Sequence, residues 1–125
     1  MSVNAKIRRL EDLEIWNEGI SLVEKIYTVT QKFLKEEIYG LSSQLRRAVV
    51  SIPSNIAEGF ARFHNREYKQ FLYIALGSCA ETKTQIIIAS RLGYIGNIEK
   101  DSLLKNIEQI SKMTMCLIKK LNICD

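Results

Sequence analysis

The chain has 125 residues, 46% of them apolar and 26% charged, with a net charge of +4. A chain of this mass holds one domain and hides about two-thirds of the surface its unfolded form exposes, so its core needs neither metals nor disulfides. Its apolar content and small net charge exclude a disordered chain, and one proline with six glycines argues against a turn-rich β fold.

The opening run MSVNAKIRRLEDLE has no continuous apolar stretch and does not read as a signal peptide. Residues Leu13, Trp16, Ile20, Val23, Tyr27, Thr30 and Leu34 then recur at alternating steps of three and four, which predicts a helix over about 12–35. Glu11, Asp12 and Glu14 at its start and Lys32 and Lys35 near its end suit the helix dipole. Gly40 breaks the chain.

A second run over about 40–63 repeats at Leu41, Leu45, Ala48, Ile52, Ile56, Phe60 and Phe63. The stripe keeps phase across Pro53, which predicts one helix kinked there rather than two short ones. Arg47, Ser51, Ser54, Asn55, Glu58 and Arg62 share a polar arc, while Val50, Pro53, Ala57 and Ala61 form a second, small-residue face.

A third helix is expected over about 66–92, capped by Asn65. Its stripe is Tyr68, Phe71, Leu72, Ala75, Leu76, Cys79 and Ile86, with a second apolar side at Tyr73, Ala80 and Ile87. Gly93 reads as its stop and Asn97 as the cap of a fourth helix over about 97–122, striped by Leu103, Ile107, Ile110, Thr114, Leu117 and Leu121. Short links make successive helices antiparallel neighbours. The expected fold is a single all-α domain, an up-down-up-down antiparallel four-helix bundle over residues 1–125. Gln70–Ala80, the longest uncharged stretch near the middle, is too short to span a bilayer.

The stretch YGLSSQLRRAVVSIPSNIAEGFAR, Tyr39 to Arg62, followed by FLYIALGSCAETKTQIIIASRLGYI, Phe71 to Ile95, resembles the four-helix bundle protein family, also called the 23S rRNA-intervening sequence protein or S23 family. The opening DLEIWNEGISLVEKIY, Asp12 to Tyr27, is similar to its first helix. The specific core is Ser51, Ile52, Pro53, Ser54, Asn55, Ile56, Ala57, Glu58 and Gly59. The resemblance implies an up-down bundle that assembles into rings, often pentamers. Some relatives are encoded within insertions in bacterial 23S rRNA genes. A similar bundle is the accessory variability determinant of diversity-generating retroelements, which works with a reverse transcriptase and nucleic acid. The resemblance brings no catalytic residue.

The residues themselves offer little catalytic chemistry. The one histidine, His64, lies in a helix connection without a nucleophile elbow nearby. One histidine and three scattered cysteines, Cys79, Cys116 and Cys124, do not make a zinc site. The cysteines lack C-x-x-C spacing and read as small apolar residues in a reducing cytoplasm. No phosphate-cradling glycine loop is present. Glu58 and Glu81 lie in apolar or small-residue surroundings, where a carboxylate pair would hold a metal or move protons. Neither has a histidine three residues on, and Glu58 precedes Arg62 by four, so a structural ion pair is favoured. Trp16, Tyr27, Tyr68, Phe71 and Tyr73 fall at packing positions. No catalytic residue, metal or cofactor is expected.

Charge is unevenly spread. Residues 1–40 carry six basic and seven acidic side chains, residues 41–70 five and two, and residues 71–125 seven and five. The basic middle block is Arg46, Arg47, Arg62, Arg66 and Lys69. Guanidinium groups fork onto phosphate, and a ring of subunits would repeat the patch around an axis. The expected function is therefore a non-enzymatic homo-oligomer binding RNA or DNA, in rRNA or a ribonucleoprotein. The alternatives are a protein-interaction scaffold with no nucleic-acid role, and intersubunit salt bridges at Arg46 and Arg47. The apolar second faces predict self-association.

Overall fold

The computed structural model describes residues 8–124, with side chains up to Asn122. It contains four α-helices: α1 (Glu14–Thr30), α2 (Leu41–Phe60), α3 (Asn65–Arg91) and α4 (Asn97–Cys124). A 3-10 turn, Leu10–Asp12, leads into α1, and another, Lys35–Glu37, lies in the link to α2. No strand occurs among the described residues.

Each helix packs on the next and α4 closes on α1, leaving α1 and α3 at diagonal corners. Contacts between opposite ends of neighbouring helices fix the antiparallel order. Arg46 at the start of α2 reaches Thr30 at the end of α1. Phe60 and Tyr68 meet edge-to-face where α2 turns into α3. Lys69 early in α3 bonds Asn122 late in α4, and Lys32, just past α1, pairs with Glu99 at the start of α4. This is the expected up-down-up-down bundle.

The core runs the length of the bundle. Leu22, Ile26, Leu45, Val49, Ile52, Ile56, Leu72, Ile86, Ile110, Ile118 and Leu121 are at most 1% exposed. Burying each such aliphatic side chain contributes about 1.5–3 kcal/mol before conformational entropy is counted. The expected seams of α2, α3 and α4 are largely the observed ones. Two members differ: Ile118 rather than Leu117 is fully buried, and Phe63 is 99% exposed, because α2 ends at Phe60 before it can carry Phe63 into the core.

In α1 the seam lies one residue earlier than expected. Ile15, Gly19, Leu22, Ile26 and Val29 face inward, with Phe33 beyond the helix, while Ile20, Tyr27 and Leu34 are exposed. Of the expected stripe only Leu13 and Thr30 are buried, with Trp16 and Val23 partly so. The cause lies at Pro53, which is buried inside the continuous helix α2. A Cβ at Gly19 would come within 3.2 Å of the Pro53 Cβ, so a residue without a side chain there lets the two helices close. Turning α1 by one residue would aim Ile20 at that contact.

Helix ends also differ slightly from the spacing. α1 stops at Thr30, where the run Tyr27-Thr28-Val29-Thr30 is poor in helix formers. The hydroxyls of Thr28 and Thr30 bond back to the Glu24 and Ile26 carbonyls. Asn65 and Asn97 are the first helical residues rather than caps. His64 precedes α3 with extended backbone, and the Gly96 carbonyl takes the Lys100 N–H. Gly93 is the stop expected of it. At φ 82° it allows the Tyr94 N–H to reach the Ala89 carbonyl and its own N–H to reach that of Ser90.

One side chain ties the two links at this end together. The Glu37 carboxylate accepts the Leu41 N–H at 3.1 Å, covering the start of α2, and the Tyr94 hydroxyl at 2.8 Å. Tyr94 in turn packs on Phe33, ring centroids 5.3 Å apart.

Candidate nucleic-acid interface

The five basic residues of the middle block separate into two groups at opposite ends of α2. Arg46 is committed inside the subunit. Its Nε donates to Thr30 Oγ1 at 2.8 Å, and its guanidinium lies 4.5 Å from the Tyr27 ring centroid. That geometry joins α2 to α1. Arg47, its neighbour, is exposed.

About 22 Å further along the axis, at 1.5 Å per residue, stands the second group. Arg62 follows α2, ion-paired to Glu58 at 3.2 Å and stacked 4.8 Å from the Phe71 centroid. Arg66 is exposed in the first turn of α3. Lys69, one turn on, donates from Nζ to Asn122 Oδ1 at 2.8 Å. That bond brings in the end of α4, where Lys119, a turn before Asn122 on the same face, is exposed. Arg62, Arg66 and Lys69 thus share one end of the bundle with a lysine from α4. The bend that joins them carries Phe63 and His64, both exposed, with ring centroids 6.5 Å apart.

The nine-residue core of α2 is architectural. Ile52 and Ile56 are fully buried and Pro53 meets Gly19. The Ser51 hydroxyl shares a 2.7 Å hydrogen bond with that of Ser78 on α3, and Asn55 Nδ2 donates to the Ser51 hydroxyl and carbonyl. A Cβ at Gly59 would fall 2.9 Å from Tyr68 Cδ1, so glycine lets α3 cross close to the end of α2. Ser54 and Glu58 face outward, and Ala57 is half-buried.

The carboxylates do not form a pair. Ser51 faces Ser78, so the antiparallel register sets Glu58 opposite residue 71, about 15 Å along the axis from Glu81. Glu58 holds Arg62 instead, and Glu81 is exposed. Among the described residues no three of His, Cys, Asp and Glu gather as metal ligands would. Cys79 is buried, and burial pushes its thiol pKa up against a hydrogen bond with Ser111, which keeps it protonated. Cys116 is exposed and free, and the side chain of Cys124 lies outside the described residues. No helix among the described residues is long and apolar enough to cross a membrane.

The sequence profile of the 23S rRNA-intervening sequence protein family matches residues 11–116. The chain belongs to that family. A solved structure of the same S23 ribosomal protein family, a protein of unknown function from Bacteroides thetaiotaomicron VPI-5482, superposes with a TM-score of 0.78. It is 22% identical, and the match covers 84% of this chain and 98% of that one. At that identity the likeness establishes the fold. No curated protein matches the chain in sequence.

Two features of this S23 family member escaped the spacing argument. The apolar spacing carries the α2 seam on to Phe63, although the RFHNR context, rich in turn and charged residues, signals a bend. Gly77 lies exposed in the middle of α3 with nothing within 4 Å of an added Cβ. A glycine inside a helix pattern is the signal that marks it, since it costs about 1 kcal/mol against alanine.

Proposed function

We propose that this S23 family member is a non-enzymatic, cytoplasmic, homo-oligomeric bundle that holds nucleic acid by its phosphates, in rRNA or a ribonucleoprotein. The observation that carries the reading is the gathering of Arg62, Arg66 and Lys69 at one end of the bundle, with Lys119 supplied from α4. The description of the family, a protein of an intervening sequence in 23S rRNA, points to the same class of ligand. Arg62 is pre-set by Glu58 and Phe71, so little side-chain freedom is lost when it meets a phosphate. Self-association is supported by the outer face of α3, where Tyr73, Ile74 and Ile88 are exposed around Gly77, with Leu92 exposed just past the helix. Assembly around an axis multiplies a modest patch into a strong local potential.

Binding of this kind is sequence-tolerant and steep in salt. Titrating labelled RNA at increasing salt should give a log–log slope near −2 if three phosphates are held per subunit, at about −0.7 each on single strands. Arg66→Glu with Lys69→Glu should weaken every sequence alike and flatten that slope. Absence of binding at low ionic strength overturns the proposal. The competing reading, a protein-interaction scaffold, requires instead that charge reversal at Arg62, Arg66 and Lys69 leave partner capture intact.

A further inference from the structure

Phe63 sits at the tip of the bend between α2 and α3 with 99% of its surface in water. Removing a phenylalanine from water is worth about 1.5–3 kcal/mol, and this ring receives none of that in the subunit. Its surroundings are specific. Arg62 precedes it, His64 follows it with its ring 6.5 Å away, and Arg66 and Lys69 stand within the next two turns. Tyr39, 96% exposed on the link before α2, provides the contrast. It follows Lys35, Glu36 and Glu37, a net negative stretch, whereas Arg62, Arg66 and Lys69 outnumber Glu58 and Glu67 around Phe63. Ile98, also exposed, has no π face and is followed by Glu99.

We infer that Phe63 is a stacking platform for an unpaired nucleobase, so the ligand of this end of the bundle is single-stranded rather than duplex nucleic acid. The inference rests on the phosphate-binding reading above and adds its specificity. In a duplex the faces of the bases are covered by their neighbours, and a ring standing on a surface bend reaches only phosphates and groove edges. In a single strand a base turns outward and stacks, while the flanking phosphates fall to Arg62, Arg66 and Lys69. Cationic side chains around an exposed aromatic ring are the composition that single-strand sites use.

Fluorescence anisotropy tests this with a labelled RNA of about 12 nucleotides, within the usual site size, and with the same strand annealed to its complement. The native chain should prefer the single strand. Phe63→Ala should weaken single-strand binding about 5- to 100-fold, the loss of one stacked base, and leave duplex binding unchanged. Phe63→Trp should retain affinity, and its added indole fluorescence should be quenched by the single strand. Because the side chain touches almost nothing, both variants should melt as the native chain does. Equal single-strand affinity in Phe63→Ala and the native chain overturns the inference, and so does a parallel loss on duplex. Retained RNA binding with a loss only on phosphatidylserine vesicles likewise overturns it, assigning the ring to a lipid surface. If neither strand form binds at low salt, the phosphate reading fails as well. If both bind equally and Phe63→Ala is neutral, only the stacking role fails.

Discussion

Gly59 and Gly77 both lie within helices, yet a methyl group added to each would meet different surroundings. At Gly59 it would lie 2.9 Å from Tyr68 Cδ1 and 3.1 Å from the Tyr68 carbonyl oxygen, with Phe71 Cβ at 3.0 Å. Part of that obstacle is backbone, so α3 must shift. Gly59→Ala should destabilise by about 1–3 kcal/mol through overpacking, offset by a helix-propensity gain of about 1 kcal/mol. At Gly77 nothing lies within 4 Å. There Gly77→Ala should gain that propensity alone, raising the melting temperature of the isolated subunit by about 3–5 °C. Thermal denaturation at low protein concentration checks both signs. A gain at position 59 would show that the close crossing of α2 and α3 is slack. The same measurement on Ile52→Ala should show a loss of about 2–5 kcal/mol, as for other fully buried aliphatic truncations.

At the scale of elements, Glu37 makes the connections answer to pH. The Leu41 N–H and then the Tyr94 hydroxyl hold its carboxyl below the ordinary value of 4.5. The same bond, with burial, pushes the Tyr94 phenol above its usual 10.0. The unfolded chain therefore binds a proton at Glu37 more readily than the folded one. Its stabilisation is complete above about pH 4.5 and is lost as pH falls through the lower folded value. Tyr94 acts at the other extreme: its share is complete below pH 10.0 and lost as pH rises through the higher folded value. Melting temperature followed from pH 6 downward should fall less steeply in Glu37→Gln than in the native chain, and equal slopes would remove the clamp from the account. The Tyr94 half of this clamp was not legible from spacing, because it lies 57 residues from Glu37 in the chain. The helices themselves were legible wherever one apolar row stood alone, as in α4. On α1 two adjacent rows compete, Ile15-Leu22-Ile26-Val29 and Trp16-Ile20-Val23-Tyr27. Periodicity alone cannot rank them, and the decision comes from Gly19 meeting Pro53 on another helix. The basic cluster was half legible: neighbours in sequence remained neighbours at Arg62, Arg66 and Lys69. Arg46 stands about 22 Å from them by the helical rise alone, whereas its contacts with Thr30 and Tyr27 need α1 in its folded place.

For the whole molecule, the row that lost the core on α1 becomes the argument for assembly. Ile20 and Tyr27 are exposed on α1 with Leu34 in the link beyond it, and Tyr73, Ile74 and Ile88 on α3 with Leu92 just past its end. These helices stand at diagonal corners, so the two apolar faces point away from each other. One subunit cannot bring them together, whereas a head-to-tail contact between subunits would, and repeating it would close a ring where the rotation permits. Gly77 fits this arrangement, since an exposed glycine that weakens its own helix gives a neighbouring helix room to approach. The native chain at micromolar concentration should therefore scatter light as a multiple of 14.4 kDa. Ile88→Asp should return the single-chain mass with unchanged helical circular dichroism, because a substitution on an exposed helix face shifts subunit stability by only about 0.5 kcal/mol. The monomer keeps Arg62, Arg66 and Lys69 in place but loses their repetition. Its RNA affinity should then drop well below that of the assembly, by up to about 10²-fold for linked sites, while the residual binding keeps its preference between strand forms. A native chain that is monomeric at that concentration would break the proposed link between the spare apolar faces and a phosphate patch shared among subunits.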